Sequence, residues 1–461
     1  MPEKQFDFSV HRRPNVIWFL TDQMRGQAMG FMGDTNVRTP NIDNLARNGV
    51  AFTGAVAGAP WCCPFRASLL TSIYPHQNRV YKTPEPLDPS IPVITAPFKE
   101  AGYHTAWVGK WHLDGSNHVH HYIPPERRGG FDYFMGFENN NNQNESYVFG
   151  TDSEVPVRLP GYETDSLTDL FIGHLKKHVA GQTEYQPFFA VLSVQPPHSP
   201  YVPPDDTDGS RRYYHKPSDI QVRPNVPPGK WADEAKQDLA GYYGMIENID
   251  TNLGRLRSTL KQLGIDRETY IVFMSDHGDC IGSHAQWEKS TPFEEAVRIP
   301  FIVGCVGTNY HMKHGTSDAV LNHVDIAPTT LGLCGIPLPD WMAGYDYSTL
   351  CIKKERNEFH QNPKPIPESA YMQQIPRKYH RHSVNKAWRG IVTRDGWKYV
   401  CFPGHDWLLF NLNDDPYELA NLCHDTVFQE QKAKLHSILE EWIKKTGDDF
   451  VLPDISLDIR H

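Results

Sequence analysis

The sequence predicts an α/β fold in which a large, mostly parallel sheet is sandwiched by helices and a smaller α+β subdomain follows. Continuous apolar runs that end in polar residues alternate with helical patterns through most of the chain, as expected for parallel strands buried on both faces. Near residue 366 the pattern changes to short strands followed by a single helix. We therefore expect a large domain over residues 1–365 and a subdomain with a small antiparallel sheet and a helix over residues 366–461.

The predicted elements alternate regularly along the large domain. A long amphipathic helix is expected from about Ala235 to Leu263, and a long surface loop over the proline-rich stretch from Pro196 to Lys230. The other elements are, in chain order, a strand in "NVIWFLTDQ", a helix in "TPNIDNLARNGV", a helix and a strand in "ITAPFKEAGYHTAWVGKWH", and strands in "PFFAVLSVQPPHSP" and "TYIVFMSDHGD".

The subdomain is predicted from three stretches. Short strands are expected in "RGIVTRDGWKYVCF" and "DWLLFNL", and a helix from about Thr426 to Lys445. We find no internal repeat along the chain.

Polar side chains capable of chemistry follow four of the predicted strands. In open α/β sheets, ligands bind beyond the carboxyl ends of the strands, so side chains that are distant in sequence meet at one edge. We expect a site there. Its members at the strand ends are Asp22, Lys110 with His112, His198, and Asp276 with His277.

Composition and charge exclude several classes of protein. A formal net charge of -10 argues against a nucleic-acid partner, and no apolar run is long enough to cross a bilayer. The N-terminal "MPEKQFDFSVHRRPN" lacks the apolar middle of a secretion signal, so we expect a cytoplasmic protein. The eight cysteines are scattered along the chain, as is typical of reduced thiols in that compartment.

Five motifs in one order connect these residues to a known family. Together, "TDQ", "CCPFRASLLTS", "GKWHL", "PPHSP" and "SDHGD…HAQWEKSTPFEE" resemble the type I sulfatases, a branch of the alkaline-phosphatase-like superfamily. The resemblance runs from Asn15 to about Leu422 and includes the late "FNLNDDPYELANL". It implies an alkaline-phosphatase-like fold, with the large domain as the catalytic domain, and a metal-dependent hydrolase of organic sulfate monoesters.

The adjacent cysteines of "WCCPFRASLLTS" have different expected fates. Sulfatases carry a C-x-P-x-R signature whose cysteine is oxidised to formylglycine by a formylglycine-generating enzyme. Only Cys62 has Pro64 and Arg66 at those offsets, so Cys62 is the residue to convert, whereas Cys63 is expected to be simply buried. Phe65 departs from the family, which usually has serine or alanine there, and its ring is expected to affect conversion of Cys62 or the floor of the pocket.

The resemblance also implies the chemistry. Hydrated formylglycine offers a geminal diol, one hydroxyl of which attacks sulfur while the alcohol departs; the other then loses its proton and expels sulfate. One divalent metal ion would be held by Asp22, Gln23, Asp276 and His277, although many relatives have aspartate in place of Gln23. Mostly oxygen ligands favour Ca²⁺, with Mg²⁺ or Mn²⁺ as alternatives.

The remaining site residues are basic. By resemblance, Arg66 and Lys110 orient the formylglycine and the sulfate, and Lys289 binds another sulfate oxygen. His112 would be the base that deprotonates the second hydroxyl, and His198 the acid that assists the leaving alcohol. His284 lies in the same motif as Lys289, and its role stays open between catalysis and structure.

Three further features are left outside the site. An exposed loop cluster is expected at His118 to His121, and a capping or packing role at Asp325. The amide-rich "FENNNNQNES" is either a loop or a set of hydrogen-bonding groups for sugar hydroxyls.

The substrate class has alternatives. A carbohydrate sulfate is favoured over an aryl sulfate, and a phosphonate monoester hydrolase or phosphodiesterase of the same superfamily is the main alternative activity. If Phe65 blocks conversion of Cys62, the protein would instead bind sulfate without turnover. The sequence predicts neither the identity of the sulfated alcohol nor the oligomeric state.

Overall fold

A computed structural model describes residues 13–205, 212–307, 309, 311–353, 364–375 and 384–454. A ten-stranded mixed sheet has helices on both faces, and a four-stranded antiparallel sheet lies toward the C-terminal end. The order of strands in the large sheet is β10-β2-β9-β8-β1-β7-β3-β4-β5-β6. These strands are β1 (Asn15–Thr21), β2 (Gly49–Phe52), β3 (His104–Lys110), β4 (Tyr133–Phe137), β5 (Tyr147–Gly150), β6 (Val157–Arg158), β7 (Phe188–Ser193), β8 (Thr269–Ser275), β9 (Phe301–Cys305) and β10 (Gly315–Ser317).

The centre of the large sheet is parallel, as predicted. Strands β8, β1, β7, β3 and β4 are parallel neighbours, with Ile17 of β1 paired to Ala190 on one side and Ile271 on the other. Toward the edges, β9 runs antiparallel to β2 and β8, and β5 runs antiparallel to β4 and β6. The fold class is therefore confirmed, with a mixed sheet whose parallel part holds the four predicted strands.

Two hydrophobic cores cover the faces of this sheet. Successive side chains of a strand point to opposite faces. In β1, Trp18 accordingly packs in one core and Ile17 in the other, and both are fully buried. The helices that supply these cores and the C-terminal region are α1 (Pro40–Arg47), α2 (Cys62–Thr71), α3 (Pro75–Asn78), α4 (Thr95–Glu100), α5 (Glu163–Gly181), α6 (Lys230–Gln262), α7 (Glu294–Val297), α8 (Ile326–Leu333), α9 (Ser348–Cys351) and α10 (Gln429–Thr446).

The small sheet packs against the large domain. It consists of β11 (Ser369–Gln374), β12 (Trp388–Thr393), β13 (Trp397–Phe402) and β14 (His405–Asn411) in that order, all antiparallel, and α10 packs on its middle strands. Tyr371 and Tyr399 belong to the same buried cluster as Trp18 of the large sheet. The predicted subdomain elements are present, and the boundary at residue 365 stays a prediction.

A glycine near the end of β3 bears on the geometry of the site. Gly109, next to the end of β3, has φ +107°, and a Cβ there would overlap the carbonyl oxygen of Ser193 on β7. Glycine therefore lets β3 and β7 approach closely where Lys110 begins the polar edge.

In the proline-rich stretch, the described residues form a loop with one 3-10 turn at Pro217–Asp219, and Val226 is buried.

The helices of the described part of the chain include none with both the length and the hydrophobicity needed to cross a bilayer.

Candidate active site

The ends of two neighbouring parallel strands bring the predicted carboxylates together. Thr21 of β1 pairs with Ser275 of β8, so Asp22 and Asp276 follow side by side. The ligand atoms of Asp22, Asp276, His277 and Cys62 all lie within 4.8 Å of one another, and all four residues are buried. Residues separated by more than 200 positions in sequence thus form one cluster at the carboxyl edge of the sheet.

Arg66 of α2 joins this cluster to the neighbouring strands. Its Nε lies 3.2 Å from Asp276 Oδ2, and its Nη2 lies 3.2 Å from Asp22 Oδ2. Its Nη1 donates to the backbone oxygen of Lys110 (3.0 Å) and to Ser193 Oγ (2.9 Å). The guanidinium is fully buried, and its donors bind groups at the ends of four strands, β1, β3, β7 and β8. The Arg66 side chain is therefore held in one orientation beside the two carboxylates.

Cys62 is the first residue of α2 and faces the carboxylates. Its Sγ lies 3.2 Å from His277 Nε2 and 3.7 Å from Asp22 Oδ1. Burial and the Asp22 charge would raise the pKa of the Cys62 thiol, but Lys289, Lys110 and a hydrogen bond with His198 together outweigh them and lower it to about 7. A lowered pKa is characteristic of a cysteine in an electropositive environment.

Cys63 differs from its neighbour. Its Sγ donates to the backbone oxygen of His112 (3.0 Å) and accepts from Thr83 Oγ1 (3.2 Å). Burial raises the pKa of the Cys63 thiol to about 12. This thiol is a buried packing residue, as predicted, and it tethers the segment that carries His112.

Basic side chains line the other side of the cluster. Lys110 Nζ lies 2.8 Å from Asp22 Oδ2, and Lys289 Nζ lies 2.9 Å from His198 Nε2. His198 Nδ1 lies 2.7 Å from the Ser199 carbonyl oxygen, which fixes the proton on Nδ1 and leaves Nε2 facing the site. Burial and Lys289 lower the pKa of His198. The resting imidazole is therefore neutral and accepts a hydrogen bond from Lys289.

Gln23 is held by an acid that the sequence interpretation missed. Its Nε2 donates to Asp279 Oδ2 (2.5 Å), and its Oε1 accepts from Lys289 Nζ (2.6 Å). Asp279 also accepts from the Tyr201 hydroxyl (2.6 Å) and from two backbone N–H groups. Because an ionised carboxylate only accepts, it fixes the amide of Gln23 with the oxygen turned toward Lys289. The only sequence signal for this role is the last letter of "DHGD".

His112 has the environment of a base. Within the described residues, neither of its ring nitrogens has a hydrogen-bond partner, although both are buried. Burial, with Lys110 and Arg66, holds the pKa of His112 well below its usual value. His112 has φ +62° and Gln23 has φ +71°, a left-handed conformation that costs free energy in non-glycine residues and recurs at functional sites.

The carboxylates fit a divalent cation. Burial and the adjacent Asp22 charge raise the pKa of Asp276 to about 7, while Lys110, His198 and Arg66 outweigh burial and hold the pKa of Asp22 well below its usual value. His277 Nε2 lies 3.6 Å from Asp276 Oδ1 and 3.7 Å from Asp22 Oδ1. Two crowded carboxylates beside an imidazole nitrogen form a donor set that a cation would stabilise. The predicted ligands Asp22, Asp276 and His277 are thus adjacent, and Gln23 borders them through its backbone N–H, which donates to Asp276 Oδ1 (3.0 Å).

His284 lies outside this cluster. Its ring stacks on Phe293 with the centroids 3.9 Å apart, and its Nε2 lies 3.1 Å from Asn225 Nδ2. Its nearest acids are Glu295 and Glu418 rather than the site carboxylates. The structure therefore favours the structural interpretation of His284.

The features left outside the site have structural surroundings. His118 and His120 are exposed, and His121 is paired with Asp114 at 2.6 Å, in keeping with a loop cluster. Asp325 accepts from the backbone N–H groups of Asn322 (2.7 Å) and Tyr345 (2.8 Å), which is the predicted capping role.

Phe65 points into the core. The side chain is fully buried and its ring stacks on His323, with the centroids 5.2 Å apart. It belongs to the hydrophobic cluster that covers one face of the sheet. The aromatic ring is therefore accommodated by packing on His323.

Comparison with known proteins decides the family. The family model described as Sulfatase matches residues 14–336, which include every candidate site residue named above. The chain belongs to the sulfatase family. It has the alkaline-phosphatase-like fold, and it is a sulfuric ester hydrolase, as predicted. A second model, described as N-sulphoglucosamine sulphohydrolase, C-terminal, matches residues 282–445.

Individual relatives cover nearly the whole chain. An ulvan-active sulfatase of Formosa agariphila is 32% identical over 447 residues, covering 96% of this chain and 84% of the relative. An endo-4-O-sulfatase of Bacteroides thetaiotaomicron is 28% identical over 93% of each chain. A solved structure from the metabolism of multiple glycosaminoglycans by Bacteroides thetaiotaomicron has a TM-score of 0.83 and 27% identity, covering 95% of this chain and 97% of that one. These relatives extend the similarity through the small C-terminal sheet.

Proposed function

We propose that the enzyme hydrolyses an O-sulfate ester of a carbohydrate, using an oxidised Cys62 and one divalent metal ion. The observation that carries the mechanism is the cluster of Asp22, Cys62, Asp276 and His277 within 4.8 Å, beside the cations of Arg66, Lys110 and Lys289. The carbohydrate is supported by the relatives, which include an ulvan-active sulfatase and an endo-4-O-sulfatase.

Cys62 is the residue proposed for conversion to formylglycine. When hydrated, formylglycine supplies a hydroxyl nucleophile for the attack on sulfur. Because Cys62 is at the beginning of α2, backbone N–H groups of the first helical turn would point toward the sulfate group of the substrate. Arg66 lies on the same helix, and its guanidinium binds both carboxylates, which anchors α2 to the ends of β1 and β8.

Asp22, Asp276 and His277, with Gln23 at their border, would hold the cation. When bound, it would lower the pKa of the nucleophile and neutralise the sulfate oxygens. We propose Ca²⁺ because most of these ligand atoms are oxygens, with Mg²⁺ and Mn²⁺ as the alternatives.

Lys110 and Lys289 are the proposed sulfate ligands. Both ammonium groups lie in a buried site, where fixed positive charge acts strongly on the charge that develops during reaction. Asp22 orients Lys110, and Gln23 together with His198 orients Lys289.

The two histidines are proposed to move protons. A bound sulfate anion would oppose the Lys289 charge and favour protonation of His198 at Nε2, from which the leaving alcohol can take the proton. His112, with both ring nitrogens free of protein partners among the described residues and a lowered pKa, is suited to accept a proton at neutral pH.

Two measurements test this proposal. The enzyme is produced together with a formylglycine-generating enzyme, and mass spectrometry of the peptide spanning Cys62 is expected to show the aldehyde. Values of kcat/KM are then compared for ulvan oligosaccharides, 4-O-sulfated oligosaccharides, 4-nitrophenyl sulfate and an aryl phosphonate. We expect the highest kcat/KM for a sulfated saccharide. An unmodified thiol in fully active enzyme, or a preference for the aryl esters, would overturn the proposal.

A further inference from the structure

The amide-rich segment that follows β4 lies at the edge of the sheet that carries the site. Phe137, the last residue of β4, pairs in register with Lys110, and its carbonyl accepts from the N–H of Trp111 (2.7 Å). Asn139 and Asn141 follow two and four residues later. The segment therefore begins beside the strand end that carries Lys110 and leads to His112.

The other end of the segment is attached to the residue proposed as the acid. Gln143 Nε2 donates to the His198 carbonyl oxygen (3.2 Å), and the His198 N–H donates to the Gln195 carbonyl oxygen (3.1 Å). Gln143 and Gln195 are both buried, with 1% and 0% of their surface exposed. The segment thus spans the edge of the site between the strand ends of β3 and β7.

Gln195 fixes the orientation of two asparagine side chains. Its Oε1 accepts from the Asn140 N–H (3.0 Å), so its Nε2 faces outward and donates to Asn141 Oδ1 (3.0 Å) and Asn139 Oδ1 (3.4 Å). Glu163 accepts from the Gln195 N–H (2.9 Å) and anchors this residue to α5. Since both Oδ1 atoms are occupied, the two Nδ2 groups are the side-chain atoms left for other partners.

We infer that the Nδ2 groups of Asn139 and Asn141 form a donor pair that binds hydroxyl or ring oxygens of the saccharide next to the scissile sulfate. Asn141 is exposed and Asn139 half-buried, and among the described residues neither Nδ2 has a protein acceptor. Their orientation is set in advance by a buried glutamine, so little side-chain freedom is lost when a ligand binds. This inference rests on the proposed carbohydrate substrate.

The chemistry of the pair matches a polyol more closely than a simple aryl ester. A saccharide carries several oxygen acceptors around its sulfate, whereas the phenyl ring of 4-nitrophenyl sulfate offers none at the ring carbons. Neutral amide donors bind such oxygens without adding to the positive charge that already surrounds the sulfate. The pair would therefore contribute to saccharide binding and leave the reaction at sulfur unchanged.

The test uses isosteric substitutions in the full-length, converted enzyme. Asn139→Asp and Asn141→Asp, singly and together, keep an oxygen for Gln195 but remove the donor. The matched control is Asn144→Asp, which makes the same charge change at an exposed position of the same segment. The substrates are the best sulfated oligosaccharide of the panel above and 4-nitrophenyl sulfate.

We expect the double variant to raise KM for the saccharide about tenfold or more, because two hydrogen bonds to the ligand are lost. With 4-nitrophenyl sulfate, kcat/KM should change less than about twofold, which also reports that the variant is folded. Asn144→Asp should leave both substrates unaffected. Equal losses on both substrates, or unchanged KM for the saccharide, would overturn the inference while the wild-type panel independently decides the proposed function.

Discussion

Two buried clusters in this molecule both contain carboxylates, but the basic groups are arranged differently around those carboxylates. The open cluster, Asp22, Cys62, Asp276 and His277, lies at the carboxyl edge of the large sheet. The closed cluster, Glu294, Glu295, Lys398 and Glu418, lies where α7 meets the small sheet. Both contain candidate metal ligands within 4.8 Å of one another, counting His284 with Glu295 and Glu418.

In the closed cluster, protein cations already neutralise the acids. Lys398 Nζ lies 2.6 Å from Glu294 Oε1 and 2.7 Å from Glu418 Oε1. Arg298 Nε lies 2.7 Å from Glu294 Oε2, and Arg223 Nε lies 2.6 Å from Glu295 Oε1. Every carboxylate of this cluster therefore has a basic partner at hydrogen-bond distance.

In the open cluster, ligand atoms face one another instead. Asp22 Oδ1 lies 3.7 Å from both Cys62 Sγ and His277 Nε2, and Asp276 Oδ1 lies 3.6 Å from His277 Nε2. The bases bind the opposite oxygens, Oδ2, of the same carboxylates, and the hydrogen bond to Asp276 Oδ1 comes from the neutral backbone N–H of Gln23 (3.0 Å). Ligand spacing alone therefore does not distinguish the two clusters, whereas the positions of the basic partners around their carboxylates do.

The largest expected effect comes from removing the atom of the open cluster that is proposed to react. Cys62→Ala should lower kcat by about 10⁴-fold or more, because loss of a nucleophile removes the covalent route. The measurement is turnover of the best sulfated saccharide. Cys63→Ser is the control at the adjacent buried thiol, and we expect it to retain kcat within about tenfold. A Cys62→Ala enzyme with nearly full activity would show that this cluster is not catalytic.

Breaking the closed cluster should affect stability instead of catalysis. Lys398→Met leaves two buried carboxylates without their shared cation and should lower the free energy of unfolding by about 3–5 kcal/mol. Urea denaturation measures this change. Lys434→Met, which removes an exposed ion pair with Glu430, should cost less than about 1 kcal/mol. A similar small cost for both variants would contradict the structural role.

Stabilisation by an added metal ion should also distinguish the two clusters. At 100 times the dissociation constant, a cation bound only to the folded state stabilises it by about 2.7 kcal/mol, seen as a rise in Tm. We expect this rise with Ca²⁺ for the wild type and for Glu418→Gln, and its loss in Asp22→Asn. If Glu418→Gln abolished the response and Asp22→Asn retained it, the assignment of the two clusters would be reversed.

The last expected effect is a pH dependence within the closed cluster. Burial and the neighbouring Glu294 and Glu295 outweigh Lys398 and raise the pKa of Glu418 from its usual value of 4.5 to about 7. The folded state thus binds a proton more tightly than the unfolded chain. Its contribution to stability is complete below about pH 4.5 and is lost as pH rises through about 7.

Glu418→Gln isolates this contribution. The variant cannot ionise at position 418, so its free energy of unfolding relative to the wild type should increase between pH 4.5 and 8. Urea denaturation at several pH values provides the comparison. A constant difference between the two proteins across this range would show that Glu418 titrates normally.

The sequence predicts the strands and the positions of the candidate site residues at the strand ends better than the contacts between them. Strands buried on both faces appear as apolar runs; Asp22 and Asp276 follow two of these runs directly, Lys110 ends a third, and His198 lies shortly after a fourth. Short edge strands such as β2 and β10 have no comparable signal. Asp279 and Gln195 gain their roles from contacts across 256 and 54 residues of sequence, which no local pattern encodes.

The orientation of Phe65 shows the same limit. All ten residues of α2 are buried, so the helix has no polar face from which the pocket side could be inferred. The structure settles the direction by the stacking of Phe65 on His323.

The burial of α2 has a consequence for the order of events during biosynthesis. Cys62 is 2% exposed, and Pro64 and Arg66 are buried beside it. An enzyme that recognises these three residues cannot reach them in the finished protein without unpacking the centre of the molecule. The conversion proposed for this thiol would therefore take place on the nascent or still extended polypeptide, before the residues around α2 pack over it.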